Sequence, residues 1–400
     1  MKCYIFFTPS IVSIGGAELY VSGKIEHLRR IGWKPIVFSF SEGVVKIKNL
    51  KDYFIFISGE LAIGYSVSNI VVRKKLLKRV KKVTTDCDEV FIESHTTNLS
   101  YWGEYISSHI QAVHLSYLLT ETFPKLTGGE HNFFIKKKEQ GLLRGIQDIS
   151  ITKLFADGII YDIPKLCAVG CVTDNVIDYN NSIDFKQYRD SDFKILSLGR
   201  LNKPYIPDML IAIRNFSRSH PEYTINVTLV GGYYLNEVEV LCSNIEEETG
   251  VMFIHIDECN PIPSNIFTYN DMAIAVAGCA GICTNQGLQT ITVDANDKKA
   301  IGILEVTTKN STIRVKEPPV NIETFLEDIL INKKYGHPNK NVINVSNYEE
   351  HDILLRAKQE DYTILKGRNA LEWILYLILL ITGVKLYRFL LRQISSIRRR

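Results

Sequence analysis

The chain has 400 residues, more than one core usually holds, so two domains and a tail are the first expectation. Hydrophobic residues make up 46% and charged residues 23%, which excludes a disordered chain. A formal net charge of +3 excludes a bulk polycation, so affinity for any polyanion would have to come from local clusters of cations.

The chain begins "MKCYIFFTPS". Its apolar run, Cys3 to Phe7, is too short for the core of an export signal and predicts a first strand. A glycine-bearing loop, "SIVSIGGAE", follows. A helix then has Leu19, Ile25 and Leu28 at helical spacing and stops at Gly32. "KPIVFSF" is the next strand, which completes a βαβ unit with parallel strands. Further strands are predicted at 53–58, 89–94 and 110–115. Between the first two of these lies "VVRKKLLKRVKK" (71–82), a basic amphipathic helix. Helical segments are expected through 133–156, beginning with "FFIKKKEQGLLRGI" (133–146), whose aromatics read as exposed beside lysines.

The segment 165–178 is irregular, and "NNSIDFKQYRDSD" (180–192) is polar and turn-rich. The first domain is therefore expected to span 1–185. Alternation restarts with "FKILSLGR", "DMLIAIRNFSRSH", "INVTLVGG", "EVEVLCSNIEEETG" and "VMFIHI" as strand, helix, strand, helix and strand. A second domain over 186–365 and a tail over 366–400 follow. Two runs of βαβ patterning predict two Rossmann-like, doubly wound α/β domains facing each other.

The eight cysteines are scattered, and without an export signal they are expected to be reduced and buried. The pairs Cys167/Cys171 and Cys279/Cys283 have a spacing zinc tolerates, but no histidine or second cysteine pair completes either set. No metal site is expected.

Three loops carry the candidate chemistry, because parallel sheets bind ligands at the carboxyl ends of their strands. In the first, Gly15 and Gly16 precede a helix N-terminus, which suits a phosphate or a plain tight turn. In the second, Arg200 and Lys203 follow a strand ending at Gly199. A planar guanidinium fork and a mobile ammonium there suit a diphosphate, although solvated surface charges would look the same. In the third, "CTNQGLQTITVDANDKKAIG" (283–302) sets Gln286 eight positions before Asp294. On one helix that step returns to nearly the same face. The β-branched run Thr290 to Val293 leaves a strand open instead.

As an ordered set these pieces resemble the GT-B glycosyltransferases, and among them the family 4 retaining enzymes. "IGGAELYVSGKIEHLRRIGW" looks like the family's glycine loop and first helix, and "FKILSLGRL" like the first strand of its second domain. "QGLQTITVDA" stands where the family has its E-x7-E motif. The resemblance covers about residues 1–330 and implies nucleotide-sugar transfer without a metal or other cofactor. It places Gly15 and Gly16 beside phosphates, and Arg200 with Lys203 on the donor diphosphate. Gln286 would face the transferred sugar and Asp294 the ribose. His114 is the candidate for the family's active-site histidine, with His95 as runner-up. Gln286 and Asp294 depart from the family's two glutamates, and Ala300-Ile301 from its usual glycine-proline. An alternative alignment makes "AGCAGI" the sugar-facing turn.

The tail reads "ALEWILYLILLITGVKLYRFLLRQISSIRRR". It is apolar on every side from Trp373 to Val384, then repeats cations at Lys385, Arg388 and Arg392 at helical spacing. The apolar run falls short of the ~20 residues of a comfortable span. It is therefore expected to anchor in the cytoplasmic leaflet of a bacterial inner membrane, so that deleting 370–400 would release the protein. The basic stretches 71–82 and 133–146 would add contact. The resemblance then implies a capsule or O-antigen transferase acting on a lipid-linked or growing saccharide acceptor. A membrane-tailed protein of this kind is also similar to those of polysialic acid capsule synthesis, for which CMP-sialic acid would be the donor. The alternative is a degenerate GT-B scaffold that recruits other polysaccharide-synthesis enzymes. Nucleic acid is not expected as a partner, because the basic helices lack interleaved aromatic platforms.

Overall fold

A computed structural model describes residues 1–12, 14–47, 50, 53, 55–119, 126, 128–145, 151, 154–155, 169, 177–338, 348–365 and 370–397. The chain forms two compact units. One comprises Met1–Ser13, Ala17–Thr173 and Val345–Arg400, and the other Ile14–Gly16 and Asp174–Asn344. The polar stretch 180–192 thus belongs to the second unit, and the chain rejoins the first unit before the expected boundary at 365. Stacking explains the first point: Phe185 lies on Tyr269 with ring centres 3.9 Å apart.

The first unit runs β1 (Lys2–Thr8), α1 (Gly16–Arg30), β2 (Trp33–Ser39), β3 (Ile55–Ile57), α2 (Ile70–Val83), β4 (Glu89–Ser94), α3 (Thr97–Ile110), β5 (Val113–Leu118), α4 (Gly128–Glu139) and β6 (Leu143–Gly145). The strands pair in the order β3-β2-β1-β4-β5-β6, all parallel. Helices cover such a sheet on both faces, which is why β1 is buried at every residue after Lys2. Strand order reverses between β1 and β4.

The second unit runs β7 (Ile177–Asp178), β8 (Phe193–Leu198), α5 (Ile206–Ser219), β9 (Ile225–Val230), α6 (Asn236–Thr249), β10 (Met252–Ile256), β11 (Ile262–Pro263), α7 (Asn265–Tyr269), β12 (Met272–Ala275), α8 (Gly278–Asn285), β13 (Gln289–Val293), β14 (Ala300–Ile303) and α9 (Ile322–Leu326). Its main sheet has the order β10-β9-β8-β12-β13-β14, with β14 antiparallel to β13. It reverses between β8 and β12. Gly231 has a φ of 158°, and a Cβ there would sit 1.8 Å from the Gly199 carbonyl oxygen. Only glycine lets these two loops approach so closely.

Two helices return to the first unit: α10 (Tyr348–Leu354) and α11 (Ala370–Ile397), the latter kinked at Gly383. Leu379 and Tyr387 of α11 are buried in the core cluster formed by β1, β4, α2 and α3. One apolar face of the tail therefore completes a core. Among the described residues no helix is long and apolar enough to cross a membrane.

Two further expectations are corrected. Phe133 and Phe134 are fully buried, as is Lys137, so α4 presents no aromatic-and-lysine face to solvent. Helix α4 ends at Glu139, where Gly141 turns the chain with φ 69°. Cys3 and Cys87 are joined by a disulfide rather than reduced. The parallel β1–β4 pairing, Lys2 opposite Glu89, brings their Cα atoms to 6.0 Å, within bridging range. The Cys167/Cys171 pair lies outside the described residues.

Candidate functional site

At the second unit's reversal point, β8 ends in Gly199, with φ 134°, and Arg200. Continuing the registers Leu198 to Ala275 and Ala275 to Thr292 by two residues puts Arg200, Ala277 and Asp294 at one level along the carboxyl edge. Arg200 is exposed, and its guanidinium makes no hydrogen bond or ion pair among the described residues. A Cβ on Gly199 would lie 3.5 Å from the Cys279 sulfur, so the Arg200 loop abuts the start of α8.

That helix start is unusual. Ala277, its N-cap, adopts φ 56° and ψ −131° and offers no side-chain cap. A non-glycine residue with positive φ costs free energy and tends to occur where a site demands it. The Ala277 amide donates to the Ser311 carbonyl at 2.7 Å, which holds the turn. Helix amides beyond it have no intrahelical acceptors and carry the positive end of the dipole. A Cβ on Gly278 would meet nothing within 4 Å, so the space above these amides is open. An anion is the ligand that such a turn and an adjacent guanidinium suit. Lys203 is half-buried in the same loop.

Gln286 and Asp294 do not share a helix. Gln286 caps the carboxyl end of α8, Gly287 turns the chain with φ 93°, and the β-branched run forms β13. Helix α8 carries Gln286 back to the amino edge, away from Arg200. Asp294 reaches the carboxyl edge but is committed to its own loop. Its Oδ1 accepts from the Asn296 backbone and side-chain amides at 2.8 and 3.0 Å, and its Oδ2 from the Arg314 amide at 2.7 Å. The "AGCAGI" segment of the alternative alignment forms the N-cap and first turn of α8.

In the first unit, His114 is the second residue of β5 and lies in the middle of the sheet, level with Ile92 of β4 and Ile5 of β1. It is fully buried. Its Nδ1 pairs with Glu104 at 2.8 Å and its Nε2 with the Ser94 hydroxyl at 3.1 Å. Lys137 donates to Glu104 at 2.9 Å and to the His114 carbonyl at 2.6 Å. Gln359 and the Thr363 amide, from the returning chain, fill the remaining Glu104 oxygen. Burial, then the Lys137 charge, lowers the His114 pKa to about 4 against the pull of Glu104. Burial works to raise Glu104, but the hydrogen bond from His114 and the Lys137 charge bring it to about 2. Ser94, His114 and Glu104 have the connectivity of a nucleophile triad, yet all three are sealed and serve the core.

The runner-up histidine is better placed. His95 follows the carboxyl end of β4, next to the β1–β4 reversal. Its Nε2 pairs with Glu93 at 2.8 Å, and its buried Nδ1 has no hydrogen-bond partner. Glu93 also accepts from Tyr4, from Tyr20 at 2.9 Å and from Lys24 at 3.1 Å. Burial opposes ionisation of Glu93, but the Lys24 ammonium and then His95 hold it well below the usual carboxylate range. A carboxylate can only accept, so the hydrogen in this bond is on Nε2. Lys24 also meets His351 Nδ1 at 2.7 Å. Sequence reasoning missed Glu93, Lys24 and His351. The glutamate inside "EVFIES" was the available signal; His351, 327 positions from Lys24, gave none.

Gly15 and Gly16 stand at the start of α1, and a Cβ on Gly16 would meet nothing within 4 Å. Neither has a positive φ, so the turn itself does not require glycine.

No protein-family model and no curated protein sequence matches the chain. Solved structures do. A glycosyltransferase from Rickettsia africae superposes with a TM-score of 0.57 at 12% identity, covering 96% of this chain and 99% of that one. The lipopolysaccharide outer core galactosyltransferase WaaB gives 0.52 at 10% identity, covering 88% and 99%. A UDP-N-acetylglucosamine 2-epimerase gives 0.50 at 12% identity, covering 90% and 98%. Such identities speak to architecture rather than chemistry. Together with the two reversing parallel sheets, they show that the chain has the GT-B fold.

Proposed function

We propose that the protein is a glycosyltransferase that takes a nucleotide sugar as donor. The observation that carries this reading is the pairing of Arg200, exposed and unengaged, with the open amino end of α8 at the reversal point of the second sheet. These groups would stabilise the departing phosphate as negative charge develops, with Lys203 beside them and no metal. The bond from the anomeric carbon to the phosphate oxygen breaks. A bond to the acceptor hydroxyl oxygen forms, and its proton leaves toward the phosphate. The turn Val276–Cys279 would face the transferred sugar, in place of Gln286.

Retention of configuration, a lipid-linked or growing saccharide acceptor, and a place in capsule or O-antigen synthesis at the cytoplasmic face of a bacterial inner membrane complete the proposal. The resemblance in "IGGAELYVSGKIEHLRRIGW" and "FKILSLGRL" supports them. A second reading, a scaffold that binds donor without turnover, is favoured by the engagement of both Asp294 oxygens.

Calorimetry with UDP, GDP and CMP, followed by transfer assays with the matching sugars, tests both. One nucleotide should bind, and Arg200→Ala should lower turnover by about a hundredfold or more. Binding without transfer would favour the scaffold. No binding to any nucleotide would end both readings.

A further inference from the structure

Helix α11 has two unlike faces. Glu372, Leu375 and Leu379 point inward: Glu372 accepts from the Ser66 hydroxyl, and the two leucines join the first unit's core. Ile374, Leu377 and Ile381 recur at i, i+3 and i+7 on the opposite face, and Ile381 is 85% exposed. Leu371, Trp373 and Leu380 widen this stripe, and Leu386 and Phe389 extend it past the kink. Folded surfaces seldom gather so many large apolar side chains in one place.

The charge beside this core is equally one-sided. Helix α2 buries Val72, Leu76 and Val80 in the same hydrophobic cluster that receives Leu379 and Tyr387. Its outer face carries Lys74, Lys78, Lys81 and Lys82, all exposed and, among the described residues, without an acidic partner. The helix contains no acidic residue. Cations in this density are complementary to anionic headgroups.

We propose that the first unit docks on an anionic lipid surface, with α11 lying in the plane of the bilayer and its outer stripe among the acyl chains. The limb before Gly383 is about 20 Å long at helical rise, too short for a hydrocarbon core of ~30 Å and suited to lying in its surface. Trp373 fits the headgroup boundary, and the α2 lysines reach lipid phosphates. The inference stands apart from the transfer chemistry of the second unit. Because α11 completes a core, it is a built-in surface rather than a detachable anchor, and deleting 370–400 would strip that core.

The test therefore uses the full chain with point changes. The protein is co-sedimented with phosphatidylcholine vesicles made with and without phosphatidylglycerol. It should bind the anionic vesicles and bind less at high salt. Ile381→Asp with Leu377→Asp should weaken binding by about tenfold or more. Lys78→Ala with Lys82→Ala should weaken it by a smaller factor, on anionic vesicles only. Ile374→Ser serves as the milder outer-face change should the double aspartate variant unfold. Thermal unfolding and nucleotide calorimetry on the same variants should match the parent, which separates failure here from failure of the donor reading. No vesicle binding, or binding untouched by the outer-face changes, overturns the proposal. A dimer in solution that Ile381→Asp dissolves overturns it too, because a second copy would then cover the stripe.

Discussion

The carboxyl edge of the second sheet and the polar interior of the first unit use charge in opposite ways. Arg200 is exposed and unengaged beside an open helix terminus. Glu93, Lys24, Glu104, His114 and Lys137 are all within 1% of full burial, and each is held by hydrogen bonds. Desolvation makes a lone buried charge intolerable, so the buried group satisfies itself internally and serves the fold. A charge kept for a ligand must stay partnerless and reachable. Residue type alone therefore does not tell an engaged group from a free one. His114 and Asp294 are engaged by the fold and, among the described residues, the Arg200 guanidinium is not.

The sharpest way to break this contrast is Glu104→Leu. It leaves the Lys137 ammonium sealed in apolar surroundings and removes the partner of His114, so urea unfolding should show a loss of about 3–5 kcal/mol. A loss below about 1 kcal/mol would mean that the network is not what holds the region.

Acid should act next. The folded chain keeps His114 neutral down to about pH 4, whereas an unfolded chain takes up that proton near 6.5. The unfolded state thus binds more protons in that window, and stability falls as pH drops through it, by on the order of 3 kcal/mol. Glu104 extends the loss below pH 4.5, toward its folded value of about 2. Unfolding curves between pH 7 and pH 4 measure the slope, and His114→Gln should flatten it. A slope unchanged in that variant would assign the proton uptake to another group.

The smallest effect is expected at Arg200. An exposed, unengaged side chain contributes little to folding, so Arg200→Ala should alter the unfolding free energy by no more than about 0.5 kcal/mol while turnover collapses. A stability loss comparable to that of Glu104→Leu would erase the difference between the two regions.

Much of the architecture was legible in advance. Strands such as "EVFIES" and "FKILSL" are short apolar or alternating runs, and β4 spans the six residues expected. Boundaries slipped where local pattern was ambiguous. The third strand of that series was expected at 110–115, but β5 is Val113–Leu118, because Gln111 caps α3 in a left-handed conformation with φ 56°. That shift moved His114 from the expected ligand edge into the middle of the sheet, level with Ile92 and Ile5. The Gln286–Asp294 spacing misled for a related reason. A period of eight suits a helix, but Gly287 and four β-branched residues turn the same interval into a cap and a strand.

Hydrophobic periodicity and the glycine loops determined by themselves that this chain would build two α/β sheets of mainly parallel strands and carry a cationic loop after β8, because those features depend on neighbours within a few residues. Which charges pair, and which strand end each polar residue reaches, was decided only in three dimensions. Lys24 meets Glu93 and His351, and Cys3 meets Cys87, across long stretches of chain. Partnerships of that range follow from strand order and from the return of α10 and α11, and no local pattern records them.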